Sequence, residues 1–367
     1  MRVNTESLAH NVREIAAFVR TKHADTQLYA VVKANGYGHG LVESARIAVQ
    51  NGAACVAVTS ADESLRLAQA NLAVPILQFL PPSQTAVEHL IRANILMTVG
   101  SLCDIDTISA ACEHLGAHAQ VHLKIDTGMG RLGELPKDAL TLAEELADNK
   151  HINLAGVYTH CANAVHSDIG KTDRQYAMFS EFLQKLSSKG INPGVRHFAS
   201  SAVLLRRPEY ALDAVRIGTL LYGQYSGRSI PRSVDLRDTW TFETYVAAIK
   251  VVPKGTAVGY GSEFVTRRVS RLAVIGVGYA HGFGVAPVVT SAGLRELAVL
   301  VRNKMRGHTF AVEINGHAVP IVGRVGMQTC VADVTGLKSV QVGNIVAVPS
   351  RRINTPADIL RIYEGLD

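Results

Sequence analysis

The chain lacks the features that mark secreted, membrane-spanning and metal-binding proteins. It has 367 residues but only five cysteines, and it is 6% aromatic with a single tryptophan. The cysteines are odd in number and widely spaced, which fits neither a disulfide framework nor a metal site and favours a reducing compartment. No apolar run approaches the ~20 residues of a membrane-spanning helix, and the first residues show no signal-peptide core. We expect a cytoplasmic protein with no membrane partner and no bound metal.

The chain also lacks a concentrated charge. Its formal net charge is +6, yet its basic residues are scattered, and the only local clusters are pairs such as Arg206-Arg207, Arg267-Arg268 and Arg351-Arg352. A nucleic-acid groove needs a longer basic stripe with aromatic residues among it. We therefore expect no nucleic-acid partner, and mild basicity is compatible with a small anionic ligand.

What the first 220 residues do contain is an alternation of short β-rich runs with helical periodicity. Helical spacing lies between most of the runs, for example at 41–50 and 139–149. The runs are 28–33, 55–60, 75–80, 95–99, 120–125, 154–159, 195–199 and 214–217. Eight strand–helix units in this length indicate an α/β fold, a (β/α)8 TIM-type barrel. A doubly wound open sheet is the alternative, because periodicity alone cannot close a barrel.

The pattern changes after Gly223. Residues 227–238 are polar and irregular, which is typical of a linker, and mainly β-type runs follow from Trp240. These runs are 241–252, 272–279, 310–322 (folded over Asn315-Gly316), 329–334 and 344–349. One segment, 294–305, has helical spacing instead. We predict a barrel domain at 1–228 and a mainly antiparallel β domain at 229–367.

Polar residues follow several of the predicted barrel strands. Barrel enzymes gather their reactive groups at the carboxyl ends of the strands, and the loops after strands seven and eight commonly hold phosphate. Any one of these residues alone has an ordinary interpretation, such as a solvated lysine at the barrel rim or a structural histidine. Together they fit a barrel that binds pyridoxal 5′-phosphate (PLP). They are Lys33, Arg131, His160, Ser201, Arg216, Gly218 and Thr219.

One motif and six later ones, in the same order, resemble those of the alanine racemases. The first is the PLP-attachment signature Ala30-Val31-Val32-Lys33-Ala34-Asn35-Gly36-Tyr37-Gly38-His39-Gly40. The others are 124–133 (KIDTGMGRLG), 158–160 (YTH), 215–218 (VRIG) with 222–223 (YG), 258–261 (VGYG), 278–280 (GYA) and 322–327 (VGRVGM). The resemblance covers nearly the whole chain.

The resemblance implies a PLP-dependent racemase that interconverts L-alanine and D-alanine, for D-alanine biosynthesis and the cell wall. It implies a homodimer with shared active sites. Lys33 would bind the cofactor covalently and act as acid and base on one face of it, and Tyr260 of the other subunit would do so on the opposite face. Two groups are needed because racemisation removes the α-proton on one side and returns it on the other.

The resemblance also implies supporting roles for other residues. Tyr37, Ser201, Gly218 and Thr219 would hold the phosphate group. Arg216 would face the pyridine nitrogen, and His160 would pack on the ring and link to Arg216. Arg131 and Met327 would bind the substrate carboxylate, and Lys124 would orient Arg131 if it is carbamylated.

The sequence departs from the family pattern at several points. Gln328 and His281 stand where the family usually has aspartates, and Ala357 aligns with a phosphate-binding tyrosine. About twenty residues are inserted within 283–307. Serine or broad-specificity racemisation therefore remains an alternative. A non-catalytic PLP-binding protein is a third, but the runs after Trp240 and the presence of Tyr260 argue against it.

Overall fold

The structure is a computed structural model that describes residues 1–285, 310–350 and 355–365. The chain forms two compact units. The first contains Asn4–Thr239 and the C-terminal residues from Glu364, and the second contains Met1–Val3 and Trp240–Tyr363. We call them the barrel unit and the β unit.

The barrel unit is built on a sheet of eight parallel strands in the order β4-β3-β2-β9-β8-β7-β6-β5. A parallel bridge between Leu77 and Leu96 joins the two end strands and closes the barrel. The strands are β2 (Gln27–Val31), β3 (Cys55–Val58), β4 (Ile76–Gln78), β5 (Met97–Val99), β6 (Ala119–Lys124), β7 (Ile152–Tyr158), β8 (Val195–Ser200) and β9 (Ala214–Ile217). All eight predicted runs are strands, so the predicted (β/α)8 barrel is confirmed, and the doubly wound sheet is excluded.

Helices surround the barrel strands. The predicted helix 41–50 is α3, and 139–149 falls within α7 except for its last residue. The helices are α1 (Thr5–Lys22), α3 (Leu41–Gln50), α4 (Ala61–Gln69), α5 (Val87–Arg92), α6 (Leu102–Leu115), α7 (Pro136–Asp148), α8 (Gly170–Ser188) and α9 (Ser201–Arg206). A short turn assigned as α2 (Lys33–Tyr37) follows β2 and is described with the site. No helix in the described ranges is long and apolar enough to cross a membrane.

Local sequence explains where these helices start and which face they bury. Asn4 caps α1 by accepting a hydrogen bond from the Ser7 N–H at 2.7 Å, and Ser60 caps α4 in the same way. In α1 the buried residues Leu8, Val12, Ile15 and Val19 recur every three or four positions, so one stripe faces the sheet.

The barrel strands bury side chains on both faces. In β3 all four residues are buried, as expected for a parallel sheet covered by helices. Alternate residues separate into two clusters: Tyr29 and Val31 pack inside the barrel, and Leu28 and Ala30 pack with the helices. This alternation decides which side chains enter the barrel interior.

The β unit is mainly antiparallel, as predicted. Its largest sheet has six strands in the order β16-β15-β18-β11-β14-β17. The strands outside the barrel are β1 (Arg2–Asn4), β10 (Trp240–Thr241), β11 (Glu243–Val252), β12 (Ala257–Val258), β13 (Phe264–Val265), β14 (Ser270–Ile275), β15 (Ala311–Ile314), β16 (His317–Pro320), β17 (Cys330–Asp333), β18 (Ile345–Ala347) and β19 (Ile362–Glu364). The predicted helical segment 294–305 lies outside the described residues, as does most of the insertion.

Candidate active site

A cavity of about 470 Å³ lies at the carboxyl ends of the barrel strands. Nine of the predicted site residues line it: Lys33, Tyr37, Lys124, Arg131, His160, Ser201, Arg216, Gly218 and Thr219. The other two, Tyr260 and Met327, belong to the β unit, where the residues are 75% and 59% exposed. The barrel therefore brings together the residues that the sequence placed after its strands.

Lys33 lies at the start of an unusual left-handed turn directly after β2. The next four residues, Ala34, Asn35, Gly36 and Tyr37, have φ angles of +53°, +54°, +63° and +50°. Only glycine adopts this region readily, and other residues lose about 1–2 kcal/mol each. Such strain persists only where surrounding contacts fix the backbone, and it is concentrated at functional sites.

Burial changes the chemistry of the Lys33 amine. Loss of solvent lowers the pKa of Lys33, the Arg131 charge lowers it further, and Glu63 partly offsets both by raising it. A lowered pKa increases the fraction of neutral amine, which is the form that acts as a nucleophile or base.

Arg216 is a buried cation on β9 with no carboxylate partner among the described residues. Its Nη1 donates to Nδ1 and to the carbonyl oxygen of His197, both at 2.8 Å. Its Nη2 donates to the carbonyls of Thr159 and Phe198 at 2.6 and 3.1 Å. These bonds use the four terminal N–H groups, and the Nε–H has no protein partner within the described ranges. Because the side chain lines the cavity, this donor is available to a ligand there.

A buried layer of polar side chains supports Arg216 from inside the barrel. His197 stacks on Tyr158 with ring centroids 4.8 Å apart and lies 2.8 Å, nitrogen to nitrogen, from His122. Gly156 leaves room for His122, because a Cβ at this position would lie 2.5 Å from the imidazole. Burial, followed by the charge of Arg216, lowers the pKa of His122 to about 3. The layer is therefore uncharged, and Arg216 is held as a fixed positive charge.

Donors suited to a phosphate group converge at the ends of β8 and β9. The Gly218 N–H donates to Ser201 Oγ at 3.1 Å, and a Cβ on Gly218 would lie 2.4 Å from the Tyr37 hydroxyl. Only glycine allows that approach. Thr219 follows, with its hydroxyl 2.9 Å from that of Ser226. The two strand ends and the left-handed turn thus meet at one group of hydroxyl and backbone donors.

Lys124 is a second buried basic residue of the site. It is 3% exposed, and its Nζ has no hydrogen-bond partner among the described residues. Burial, together with the charge of Arg216, lowers its pKa to about 7. A large fraction of its amine is consequently neutral at physiological pH.

Arg131 is exposed at the cavity, on a loop organised by Asp126. The Asp126 carboxylate accepts the N–H groups of Gly128, Met129 and Gly130 at 2.7–2.8 Å. Burial alone would raise the pKa of Asp126, but these donors lower it overall. The carboxylate therefore holds the loop in a compact turn before Arg131.

His160 lines the cavity but makes no direct link to Arg216. Arg216 instead donates to the carbonyl of Thr159, the residue before His160. Among the described residues, no hydrogen bond joins the side chains of His160 and Arg216. Burial and the charge of Arg216 lower the pKa of His160 to about 3. The imidazole is therefore neutral at physiological pH.

In the β unit, Tyr260 and Met327 lie on tight turns. Tyr260 is flanked by Gly259 and Gly261, with φ of +76° and +71°, and an ion pair joins the nearby Glu263 and Arg324. Met327 follows Gly326, which accepts a hydrogen bond from the Tyr279 N–H at 3.1 Å.

His281 accepts the Gly278 N–H at 3.1 Å through Nδ1, so the imidazole makes a backbone contact at the position of the replaced aspartate.

Sequence reasoning missed several residues that shape the cavity or its supports. Asp126 stands before Thr127-Gly128, and the combination of an aspartate with nearby glycines is a detectable turn signal. Cys161 follows His160 into the cavity wall, and His122 and His197 carry no local signal of their pairing. Among the described residues, no group of three or more His, Cys, Asp or Glu side chains is arranged to hold a metal ion.

Comparison with known proteins gives the same family from sequence and from structure. Residues 3–226 match the family model "Alanine racemase, N-terminal domain", and residues 239–361 match "Alanine racemase, C-terminal domain". The chain is 35% identical to an alanine racemase of Methanococcus maripaludis, covering 94% of this chain and 87% of that protein. It is 34% identical to one of Desulfovibrio desulfuricans, covering 99% and 92%. A solved alanine racemase of Bacillus anthracis with bound L-Ala-P is 29% identical, with a TM-score of 0.86 over 99% of this chain and 94% of that one. The chain belongs to the alanine racemase family.

Proposed function

We propose that the protein interconverts L-alanine and D-alanine, with PLP bound in the barrel cavity. The observation that carries the proposal is the placement of Lys33 in one cavity with the buried Arg216 cation and the donors around Gly218. This combination offers an amine for a carbonyl group, a donor for a ring nitrogen and a site for a phosphate.

The residues present fit PLP. Arg216 has one N–H without a protein partner in the described part of the chain, and its charge has no acidic neighbour there, so an electron-rich nitrogen complements it. The close approach of Tyr37 to Gly218 leaves backbone and hydroxyl donors where an anion would lie. Lys33 would attach the cofactor, and Tyr37, Ser201, Gly218 and Thr219 would hold its phosphate.

The chemistry divides between the cofactor and the chain. When bound, PLP supplies an electron sink that acidifies the substrate Cα–H. Lys33 transfers the proton at its Nζ on one face, and Tyr260 transfers the proton at its hydroxyl oxygen on the other. The lowered pKa of the Lys33 amine, caused first by burial, increases the fraction of neutral amine that can accept a proton.

Arg216 would tune the cofactor rather than move protons. Its guanidinium has donors only and stays charged, so it hydrogen bonds the ring nitrogen without giving up a proton. Such a partner keeps that nitrogen unprotonated and limits side reactions such as transamination. His160 would pack on the ring as a neutral imidazole.

Substrate binding would use one charged side chain and one backbone donor. Arg131 would pair with the substrate carboxylate, and the Met327 N–H would donate to it. We propose that Lys124 is carbamylated and orients Arg131. The amine of a lysine with a pKa of about 7 is available to attack carbon dioxide, which yields a carbamate anion and releases a proton.

The proposed assembly is a cytoplasmic homodimer with shared active sites. The exposure of Tyr260 in its own unit, at 75%, leaves its hydroxyl accessible to a second subunit. A monomer would then lack the second base. The D-alanine product would serve cell-wall synthesis.

The direct test of the activity is to measure racemisation of L-alanine and L-serine in parallel with the visible absorbance of the purified protein. We expect a yellow protein that turns over L-alanine faster than L-serine. A colourless protein that racemises neither amino acid would refute the proposal.

A further inference from the structure

The left-handed turn after Lys33 needs an external support, because three of its four positive-φ residues are not glycine. Its own backbone bonds run from Gly36 N to Val32 O at 2.7 Å and from Gly38 N to Ala34 O at 3.0 Å. The Asn35 side chain accepts the Leu41 N–H at 3.0 Å and thus ties the turn to α3. These bonds leave the Asn35 N–H, at the centre of the turn, to be bound by another group.

That group is the carboxylate of Glu63, at the start of α4. Its Oε1 accepts the Asn35 N–H at 3.0 Å, and its Oε2 accepts the Thr59 N–H at 3.3 Å. Thr59 follows β3 and lines the cavity. One carboxylate therefore connects the segments that follow the first and second strands of the barrel, and Glu63 lies 28 positions from Asn35 in the sequence.

The local sequence predicts a different partner for Glu63. Ser60-Ala61-Asp62-Glu63 is a capping-box sequence, in which the glutamate normally accepts the N–H of the capping serine. Here Ser60 caps the helix by accepting the Glu63 N–H at 3.3 Å, but the Glu63 side chain is directed to Thr59 and Asn35. The carboxylate thus binds the turn that carries Lys33 and does not bind the N–H of its own capping serine.

We propose that Glu63 is a positioning residue, which holds the left-handed turn and so directs the Lys33 amine into the cavity. The inference rests on the proposed function in one respect, since it assumes that Lys33 is the cofactor lysine. Glu63 also acts through charge. Burial and Arg131 lower the pKa of Lys33, whereas Glu63 raises it. Geometry and charge therefore both connect Glu63 to the state of the amine.

The test uses the full-length chain in Glu63→Gln and Glu63→Asp forms, with Asp62→Asn as the control. Glutamine has one acceptor oxygen and no charge, so it can keep only one of the two bonds. Aspartate keeps the charge on a side chain one methylene shorter. Asp62 lies in the same helical turn and is 79% exposed, and its carboxylate is 3.9 Å from Arg66. Its substitution should leave the turn unchanged.

The first readout is hydrogen exchange at the Asn35 amide, with and without the cofactor. In the unsubstituted protein this amide should be protected, and in Glu63→Gln it should exchange at least tenfold faster, because its bond to a charged acceptor is lost or is replaced by a weaker bond to a neutral amide oxygen. Asp62→Asn should match the unsubstituted protein. An unprotected Asn35 amide in the unsubstituted protein would overturn the inference, even if the variants failed to fold.

The second readout is the pH at which an amine-reactive reagent labels Lys33 in the cofactor-free chain. The midpoint should move to lower pH in Glu63→Gln, where the charge that raises the Lys33 pKa is gone, and should move less in Glu63→Asp. Loosening of the turn alone would expose the amine to solvent and move the midpoint in the opposite direction, to higher pH, because burial is the main cause of the lowered pKa. An unchanged midpoint together with unchanged exchange would refute the role of Glu63.

The two proposals fail in different ways. If borohydride fixes the cofactor to a lysine other than Lys33, the proposed function is wrong. If the cofactor is on Lys33 but both readouts are insensitive to Glu63, the function stands and the positioning role is wrong.

Discussion

Nη1 of Arg216 lies 2.8 Å from Nδ1 of His197, and this contact fixes the proton positions of two histidines. A guanidinium can only donate, so Nδ1 of His197 must accept and its proton must be on Nε2. That Nε2 donates to Nδ1 of His122 at 2.8 Å, which places the His122 proton on Nε2 as well. A proton added to either Nδ1 would turn that acceptor into a donor. Two N–H groups would then point at each other beside the charged Arg216.

The buried histidines predict a steep loss of stability in acid. The pKa values of His122 and His160 are lowered to about 3, and burial lowers that of His197 well below its usual value. Unfolded histidine titrates near ~6.5, so below this pH the unfolded chain binds more protons than the folded one. The contribution of these histidines to the free energy of unfolding is therefore complete above pH ~6.5. It falls as the pH is lowered towards ~3, by about 1.4 kcal/mol per pH unit for each histidine.

Chemical unfolding at a series of pH values checks this slope. His122→Asn should reduce the slope between pH 6 and pH 4 by the share of one histidine, whereas substitution of the exposed His118 by glutamine should not change it. An identical slope in His122→Asn and the parent would contradict the assignment of His122 as neutral when folded.

The purified protein should carry its cofactor on Lys33. Borohydride reduction followed by peptide mapping should place the label on the peptide that contains Lys33, because this amine has a lowered pKa and lines the cavity. Lys33→Ala should lose the visible band, and substitution of the exposed Lys137 by alanine should retain it. A label on any other lysine would be inconsistent with the proposed site.

The shared-site proposal predicts complementation between inactive subunits. Lys33→Ala and Tyr260→Phe chains should each be nearly inactive, since each lacks one proton-transfer group. A heterodimer of the two retains one complete site, so activity should return after subunit exchange. No recovery, despite exchange demonstrated by mass spectrometry, would show that both residues serve one site from the same chain.

Substitution of Tyr260 should separate the two proton transfers. Tyr260→Phe removes a hydroxyl but leaves the barrel residues intact, so it should bind PLP and lose racemisation by at least ~100-fold. In the proposed mechanism, Tyr260 would handle the proton of L-alanine and Lys33 that of D-alanine. In deuterium oxide the variant should therefore exchange the α-proton of D-alanine faster than that of L-alanine. Equal residual exchange from both enantiomers would leave the two-base assignment without support.

The Lys124 amine should react with dissolved carbon dioxide to form a carbamate. Incubation with ¹³C-bicarbonate should give a carbamate resonance in the carbon NMR spectrum, which Lys124→Ala should abolish and Lys137→Ala should retain. Loss of the anion beside Arg131 should raise the KM for alanine about tenfold, as for a lost charge-assisted hydrogen bond. A spectrum without the resonance would exclude the modification.

The barrel was predictable because its strands are buried on both faces. The predicted run 214–217 is β9 with the same bounds. A strand that lies between the helices and the barrel interior must carry apolar side chains, or its polar side chains must be hydrogen-bonded. The short strands β1 and β19 were missed, because three residues give no period to recognise. Their pairing depends on residues more than 200 positions away.

The cavity positions of Lys33, Arg131, His160 and Arg216 followed from the strand ends, but the supports of these residues did not. Asn35-Gly36 suggests a tight turn, yet Ala34 and Tyr37 have no preference for positive φ, so the left-handed run depends on tertiary contacts. His122 and His197 are 75 residues apart and meet only because the barrel closes. Ser60-Ala61-Asp62-Glu63 has the sequence of a capping box, yet the Glu63 carboxylate accepts the N–H groups of Thr59 and of the distant Asn35.

The residues that shape the cavity wall differ from those that hold its rim in place. Phe79, Leu80, Leu132 and Val165 face the space, while the carboxylates of Glu63 and Asp126 bind the backbone of the surrounding loops. This separation makes the barrel a suitable starting point for redesign. The side chains of the wall can be made larger or smaller to admit different amino-acid side chains. The contacts that position Lys33, Arg131 and Arg216 are unchanged by such substitutions.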